Sequence, residues 1–257
     1  MTFRLFLFAV LVFNAGLANA SILTFNLAVP SSNLALSGSA SVTGAGVVNY
    51  AAQGGAASLS TTYAGSFTVD VNDLFNPTSI RFVSGALVAN SNGSWLPNNG
   101  GTNGTTAAVG DYGFAAPSIT ANGKLRDVVF SFSAASTNVT AGTGAFSVLG
   151  QTFQHTAGSI DLFSATLAGG GSSALVNSGV NSSAASGTYT VAGGIATLSI
   201  PVTVNIGYAI AIPNSGVLGT NTFTGTLVGV TAVPEPSSMI LIGGAFGCVA
   251  FLRRRRK

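Results

Sequence analysis

TTYAGSFTVDV, residues 61–71, is the stretch from which the fold class can be read. Tyr63, Gly65, Phe67, Val69 and Val71 fall on one face of an extended chain, with Thr62, Ser66, Thr68 and Asp70 on the other. Successive side chains of a strand point to opposite faces, so this alternation predicts a strand with one buried and one wet side. The same signal recurs at residues 79–89, after a turn through Asn76 and Pro77, and again at 124–133, 144–156, 159–168, 187–191, 196–212 and 222–230. Residues 21–57 should add two or three shorter strands. No window carries a 3.6-residue amphipathic period, so the chain between its two ends is expected to be all-β. Strands at this spacing, parted by Gly and Asn turns, point to a β-sandwich or jelly roll. With no repeat of fixed period, a β-solenoid is the second choice.

Two stretches break the pattern. Residues 90–122 are rich in Asn, Gly and Thr, and residues 169–187 form a Gly/Ser/Asn tract. Loops of this length are usually functional or disordered, and the composition predicts mobile segments, the second a hinge between two sheets.

Charge is scarce. Asp, Glu, Lys and Arg make up 6% of the chain, against about 25% in ordinary soluble domains. The formal net charge of +3 misleads, because Arg4 and a terminal cationic block supply most of the basic residues. Residues 21–232 hold Arg81, Lys124 and Arg126 against Asp70, Asp73, Asp111, Asp127 and Asp161, a net of −2. A protein that holds nucleic acid needs a basic face, so that class of partner is excluded. The single cysteine, Cys248, lies near the C-terminus. Residues 21–232 can therefore form no disulfide and must rely on burial and hydrogen bonding.

The N-terminus reads as a secretory signal. Arg4 supplies a positive start, residues 5–13 are apolar but too short to span a bilayer, and Ala18-Asn19-Ala20 is a small-x-small cleavage pattern. Cleavage after Ala20 would leave Ser21 as the new N-terminus, with residues 1–20 as signal peptide and 21–232 as an extracytoplasmic domain.

The C-terminus, residues 233–257, is VPEPSSMILIGGAFGCVAFLRRRRK. The uncharged run 239–252 would make a helix of about 21 Å, short of a hydrocarbon core of about 30 Å. The cations Arg253, Arg254, Arg255, Arg256 and Lys257 behind it favour a membrane stop-transfer segment over a buried core helix. Pro234 and Pro236 stiffen the chain and hold Glu235 on a non-helical strut just outside the membrane. Taken together, Val233, Pro234, Glu235 and Pro236, the short apolar helix and the basic cluster resemble the PEP-CTERM sorting signal of exported bacterial proteins. The resemblance covers residues 233–257 and none of the preceding domain. It implies recognition, and cleavage near the PEP motif, by a membrane-embedded exosortase. It also implies a transient inner-membrane anchor and a final place on the cell surface or in an exopolysaccharide matrix.

Within residues 21–232 the signs of chemistry are few. His155 is the only histidine and shares a strand face with Phe153, with no nucleophile or metal-ligand pattern around it. A secreted hydrolase is thus the least favoured class, and no catalytic residue is assigned. Asp70, Asn72, Asp73 and Asn76, with Asp111 as a remote partner, offer the oxygen atoms a Ca²⁺ site requires, although Asp and Asn at turns also bond their own backbone. Trp95, the only tryptophan, and Tyr112 flank the Asn/Gly-rich stretch and are candidate sugar contacts of a carbohydrate-binding module. For Trp95 a hydrophobic staple that pins the loop is the favoured reading over a sugar contact. Asn92, Asn103, Asn138 and Asn181 each open an N-x-S/T triplet, a pattern expected by chance in this composition. The leading expectation is a non-enzymatic exported surface or matrix protein.

Overall fold

In a computed structural model the structure describes residues 21–149, 153–175, 179–213 and 215–233. Its strands arrange into eight antiparallel lanes. Lane 1 is β1 (Ser21–Leu27) followed by β2 (Asn33–Val42). Lane 2 holds β3 (Gly46–Asn49), β4 (Ala51–Ala52) and β5 (Ser60–Val71). Lane 3 begins with β6 (Ser79–Ala89), leaves the wall as a small ribbon of β7 (Gly93–Trp95) and β8 (Ala108–Gly110), and resumes as β9 (Tyr112–Ala116). Lane 4 is β10 (Ala121–Phe132) and β11 (Ala135–Thr140), and lane 5 is β12 (Ala145–Phe146) and β13 (Phe153–Ser164). Lane 6 is β14 (Gly169–Ala174) and β15 (Gly187–Ala192); β16 (Ile195–Ile212) and β17 (Ser215–Ala232) form lanes 7 and 8.

These lanes close on themselves. β1 pairs with β5, β5 with β6, β6 with β11, β11 with β12, β12 with β15, β15 with β16, and β16 with β17. β17 then returns to β1 through Asn26↔Val230 and Leu27↔Gly229, and to β2 from Thr226↔Asn33 to Val217↔Val42. All-β holds, but the pairing corrects the expected sandwich or jelly roll: each lane bonds to its sequence neighbours, so one up-and-down ring replaces two sheets with crossovers. Antiparallel ladders likewise set aside the solenoid.

The alternation that pointed to strands decides which side faces in. Along β16, Ala196, Leu198, Ile200, Val202, Val204, Ile206, Tyr208, Ile210 and Ile212 are all buried. Rings fill the interior, with Phe130 stacked on Phe153 at 4.7 Å and Phe82 on Phe132 at 5.1 Å. Burying each such side chain contributes about 1.5–3 kcal/mol. Outward positions of β17 include the hydroxyls of Thr220, Thr222 and Thr224, opposite Ser39, Ser37 and Ala35 of β2, beside the exposed Leu218. Eight lanes enclose a space that side chains can just fill.

Lane 4 shifts phase at a bulge. The register slips between Arg126 and Val129, where Asp127 adopts φ 58°, so the inner set Ala121, Gly123, Leu125 continues as Val128, Phe130, Phe132. Asp is among the few residues that tolerate this left-handed geometry.

Three expectations need correction. Residues 144–156 are not one strand; β12 ends at Phe146 and β13 starts at Phe153. The stretch 90–122 is tied down: Gln53 donates to the Leu96 carbonyl at 3.0 Å and accepts from the Leu96 amide at 2.6 Å, and the Asn92 amide donates to the Ser60 carbonyl at 2.7 Å. The glycine tract beginning at residue 169 supplies β14, paired with β13 from Gly169↔Ser164 to Ala174↔Ser159. Its glycines serve close approach, because a Cβ on Gly170 would collide with the carbonyls of Gly101 and Leu162.

Candidate functional site

The described chain ends where its sorting-like segment starts. Lane 8 stays paired to its last residue, Ala232↔Ile195, and the Val233 amide then donates to the Gly194 carbonyl at 2.8 Å. The Val233 side chain is buried. Ser21 opens the adjacent lane 1, so both ends leave the barrel at one rim, shared with the β5–β6, β11–β12 and β15–β16 turns. Pro234, Glu235, Pro236, the run 239–252, the block from Arg253 to Lys257, and the signal residues Ala18 and Ala20 lie outside the described residues. Among the described residues no helix is long and apolar enough to cross a membrane.

The densest polar cluster sits on the outer wall of lanes 4 and 5, under residues 98–104. Asp161 is fully buried; one carboxylate oxygen accepts the Gly100 amide at 3.0 Å and the other accepts Arg126 Nε at 3.0 Å. Arg126 also pairs with Asp127 at 3.0 Å. Burial opposes the Arg126 charge, but Asp161 and Asp127 outweigh it and hold its pKa above the usual value. Lys124, opposite Asp161 in the ladder, is fully covered and donates to Asn99 Oδ1 at 2.6 Å. Burial lowers its pKa, Asp161 opposes that, and Arg126 adds to it. The sequence hid this arrangement because its partners, Asn99 and Gly100, belong to the segment read as mobile. The cluster clamps a loop; its carboxylate is already occupied by two donors.

The candidate sugar contacts separate. Tyr112 is fully buried inside the barrel, its hydroxyl 2.9 Å from that of Tyr63 and donating to the Leu34 carbonyl at 3.2 Å. It cannot stand at a surface, which corrects its assignment as a sugar contact. Burial pushes its pKa well above the ordinary tyrosine range. Trp95 is half-buried and lies against glycine: a Cβ on Gly113 or Gly93 would strike its ring. That is the geometry of a side chain pinning the ribbon to lane 3.

The candidate Ca²⁺ oxygens face their own chain. Asp73 accepts the amides of Phe75 and Asn76 at 2.9 and 3.1 Å, and Asn72 those of Thr78 and Ser79 at 3.0 Å each. Asp70 pairs with Arg81 at 3.1 Å. Asp111 lies far along lane 3 from Arg81, at the start of β9, so it does not join them. Among the described residues no three His, Cys, Asp or Glu side chains gather as metal ligands do.

Two buried titratable groups remain. Asp111 accepts the Val128 amide at 2.9 Å beneath the lane 4 bulge, and burial raises its pKa to about 6. His155 is 1% exposed and edge-on to Phe130 at 5.6 Å; among the described residues its ring nitrogens make no well-formed hydrogen bond, although the Ala157 backbone partly opposes the effect of burial. Burial pushes its pKa down to about 4. A shallow cleft opens where lanes 5 and 6 part, lined by Asn138, Thr140, Ser147 and Ser183 among others. Of the N-x-S/T asparagines, Asn181 is buried, its amide bonded to Pro201 and Thr203 as a substitute for a missing strand.

Comparison with known proteins locates one element. Residues 232–256 match the PEP-CTERM protein-sorting motif. No curated protein and no solved structure matches the chain.

Proposed function

We propose that this chain is an exported, non-enzymatic barrel that an exosortase sorts and cleaves at its C-terminal tail. The observation that carries the reading is where the motif begins. Its first matched residue, Ala232, is also the last residue of β17, so the sorting signal is continuous with the folded wall. In this reading the signal peptide directs export, the run 239–252 holds the protein in the inner membrane, and the five terminal cations stop transfer. Cleavage near Pro234–Pro236 then releases the barrel to the cell surface or an exopolysaccharide matrix. Supporting the non-enzymatic part, His155 is sealed against Phe130 and Asp161 is held by two donors.

Intact-mass analysis of the protein recovered from its native host, with and without exosortase, tests this. The expected mature species starts at Ser21 and ends near the PEP motif, while the exosortase-deficient strain keeps Lys257 in a membrane fraction. A mature form retaining Arg256 and Lys257 in the normal host would overturn the processing.

A further inference from the structure

Exposed apolar side chains stand around the rim where lane 8 ends. Ile22 is 69% exposed, Phe75 42% and Ile195 50%. Ile195 starts lane 7, Ile22 lies near the start of lane 1, and Phe75 tips the turn between lanes 2 and 3. They therefore flank the exit of lane 8 on both sides. Phe75 is displayed by a fixed turn: its amide and that of Asn76 are held by Asp73, and the Leu74 carbonyl accepts the Tyr189 hydroxyl at 3.0 Å. The adjacent Asp70 carboxylate is paired with Arg81, which lowers the cost of bringing this rim near an apolar phase.

Chain length sets the distance. Val233 is fastened to Gly194, so only residues 234–238 separate the rim from the apolar run 239–252. Fully extended at about 3.3 Å per residue they reach roughly 17 Å. The headgroup layer takes up roughly 5–8 Å on each side of a bilayer. Even a straight connector thus keeps the rim within about 10 Å of the headgroups. We propose that, before cleavage, this rim rests on the lipid bilayer with Ile22, Phe75 and Ile195 among the headgroups. The docked barrel holds residues 234–236 at the membrane surface, where an embedded enzyme can read them. The inference rests on the tail acting as an anchor.

The test uses the full chain in phosphatidylcholine/phosphatidylglycerol vesicles carrying a headgroup nitroxide quencher. An environment-sensitive fluorophore is placed by Phe75→Cys, or at the opposite end by Val47→Cys, each with Cys248→Ser. Quenching at position 75 and not at 47 is expected, and Ile22→Asp with Ile195→Asp should abolish it. Equal quenching at both positions in chains that float with the vesicles overturns the docking alone. Failure to float overturns the anchor reading and the docking with it. Protection of position 75 that appears only when exosortase is added identifies the enzyme, not lipid, as the occupant, and also overturns the proposal.

Discussion

Replacing Asp111 by Asn should uncover a pH dependence that the intact barrel hides. Asp111 is 5% exposed, and burial raises its pKa from 3.8 to about 6. A raised pKa means that the folded state holds the proton more tightly than the unfolded one. Its stabilising contribution is therefore complete below pH 3.8 and is lost as pH climbs through about 6. At about 1.4 kcal/mol per pKa unit the loss is roughly 3 kcal/mol. His155 runs the other way. Its pKa falls from 6.5 to about 4, so its contribution is present above pH 6.5 and is lost as pH drops through about 4. That is again roughly 3 kcal/mol. The two windows overlap and the slopes oppose, so wild-type stability between pH 4 and 6.5 should be nearly flat from these two groups. Asn keeps an oxygen for the Val128 amide while removing the charge. Urea unfolding of residues 21–233 at intervals from pH 4 to 8 measures the effect, and taking the variant minus the wild type cancels every other group. The difference should grow by roughly 3 kcal/mol in favour of Asp111→Asn across that range. A difference that stays constant with pH would refute the burial assigned to Asp111.

Other expectations follow from the same contacts. Asp161→Asn should cost about 3 kcal/mol of unfolding free energy in a urea titration, the low end for breaking a buried pair, because the Arg126 side chain is 28% exposed. Lys124→Met should cost under about 1.5 kcal/mol, since Asp161 keeps both of its donors, Gly100 and Arg126, and the stem stays packed; a larger loss than that of Asp161→Asn would reverse the order of the cluster. Trp95→Ala should destabilise the barrel by about 2 kcal/mol, roughly half the value for a fully buried aromatic. Polysaccharide affinity lost without loss of stability would instead restore Trp95 as a sugar contact. Gly113→Ala should destabilise by about 1–3 kcal/mol, because the added methyl must displace the Trp95 ring; thermal melting at one pH suffices to check it.

Alternation made the walls legible in the sequence and left their closure out of sight. Residues 61–71, 79–89 and 196–212 emerge as β5, β6 and β16 to within a residue, since period two is a local signal. Closure rests on the return of β17 to β1, at Asn26↔Val230 and Leu27↔Gly229, and to β2, from Thr226↔Asn33 to Val217↔Val42, pairings of high sequence separation that no local pattern encodes. Glycine misled in a particular way. Across residues 169–187 its abundance predicts flexibility, whereas at Gly170 it provides room for a crossing segment. The sorting segment was legible because its chemistry is sequential: imino acids, apolar run and cations lie in chain order and need no partner strand. Tyr112 and Trp95 could not be told apart by sequence, since an aromatic in an Asn/Gly-rich stretch looks the same whether it faces the core or a row of glycines.

Closure also explains how so little charge is tolerated. A β protein ordinarily keeps its edge strands from pairing with neighbours by placing Lys or other charges there. This barrel has little to place: Lys124, Arg126, Asp111, Asp127 and Asp161 are gathered around one stretch of lane 4, leaving Asp70, Asp73 and Arg81 for the rest of residues 21–232. A ring in which β17 returns to β1 and β2 has no edge along those lanes for another chain to extend. Protection that other β folds obtain from surface charge is here obtained from topology. The outer faces are then free to carry Ser and Thr, and the few ion pairs to fasten a loop. It follows that opening the ring between lanes 8 and 1, rather than neutralising any surface residue, is the change that should turn this domain toward aggregation.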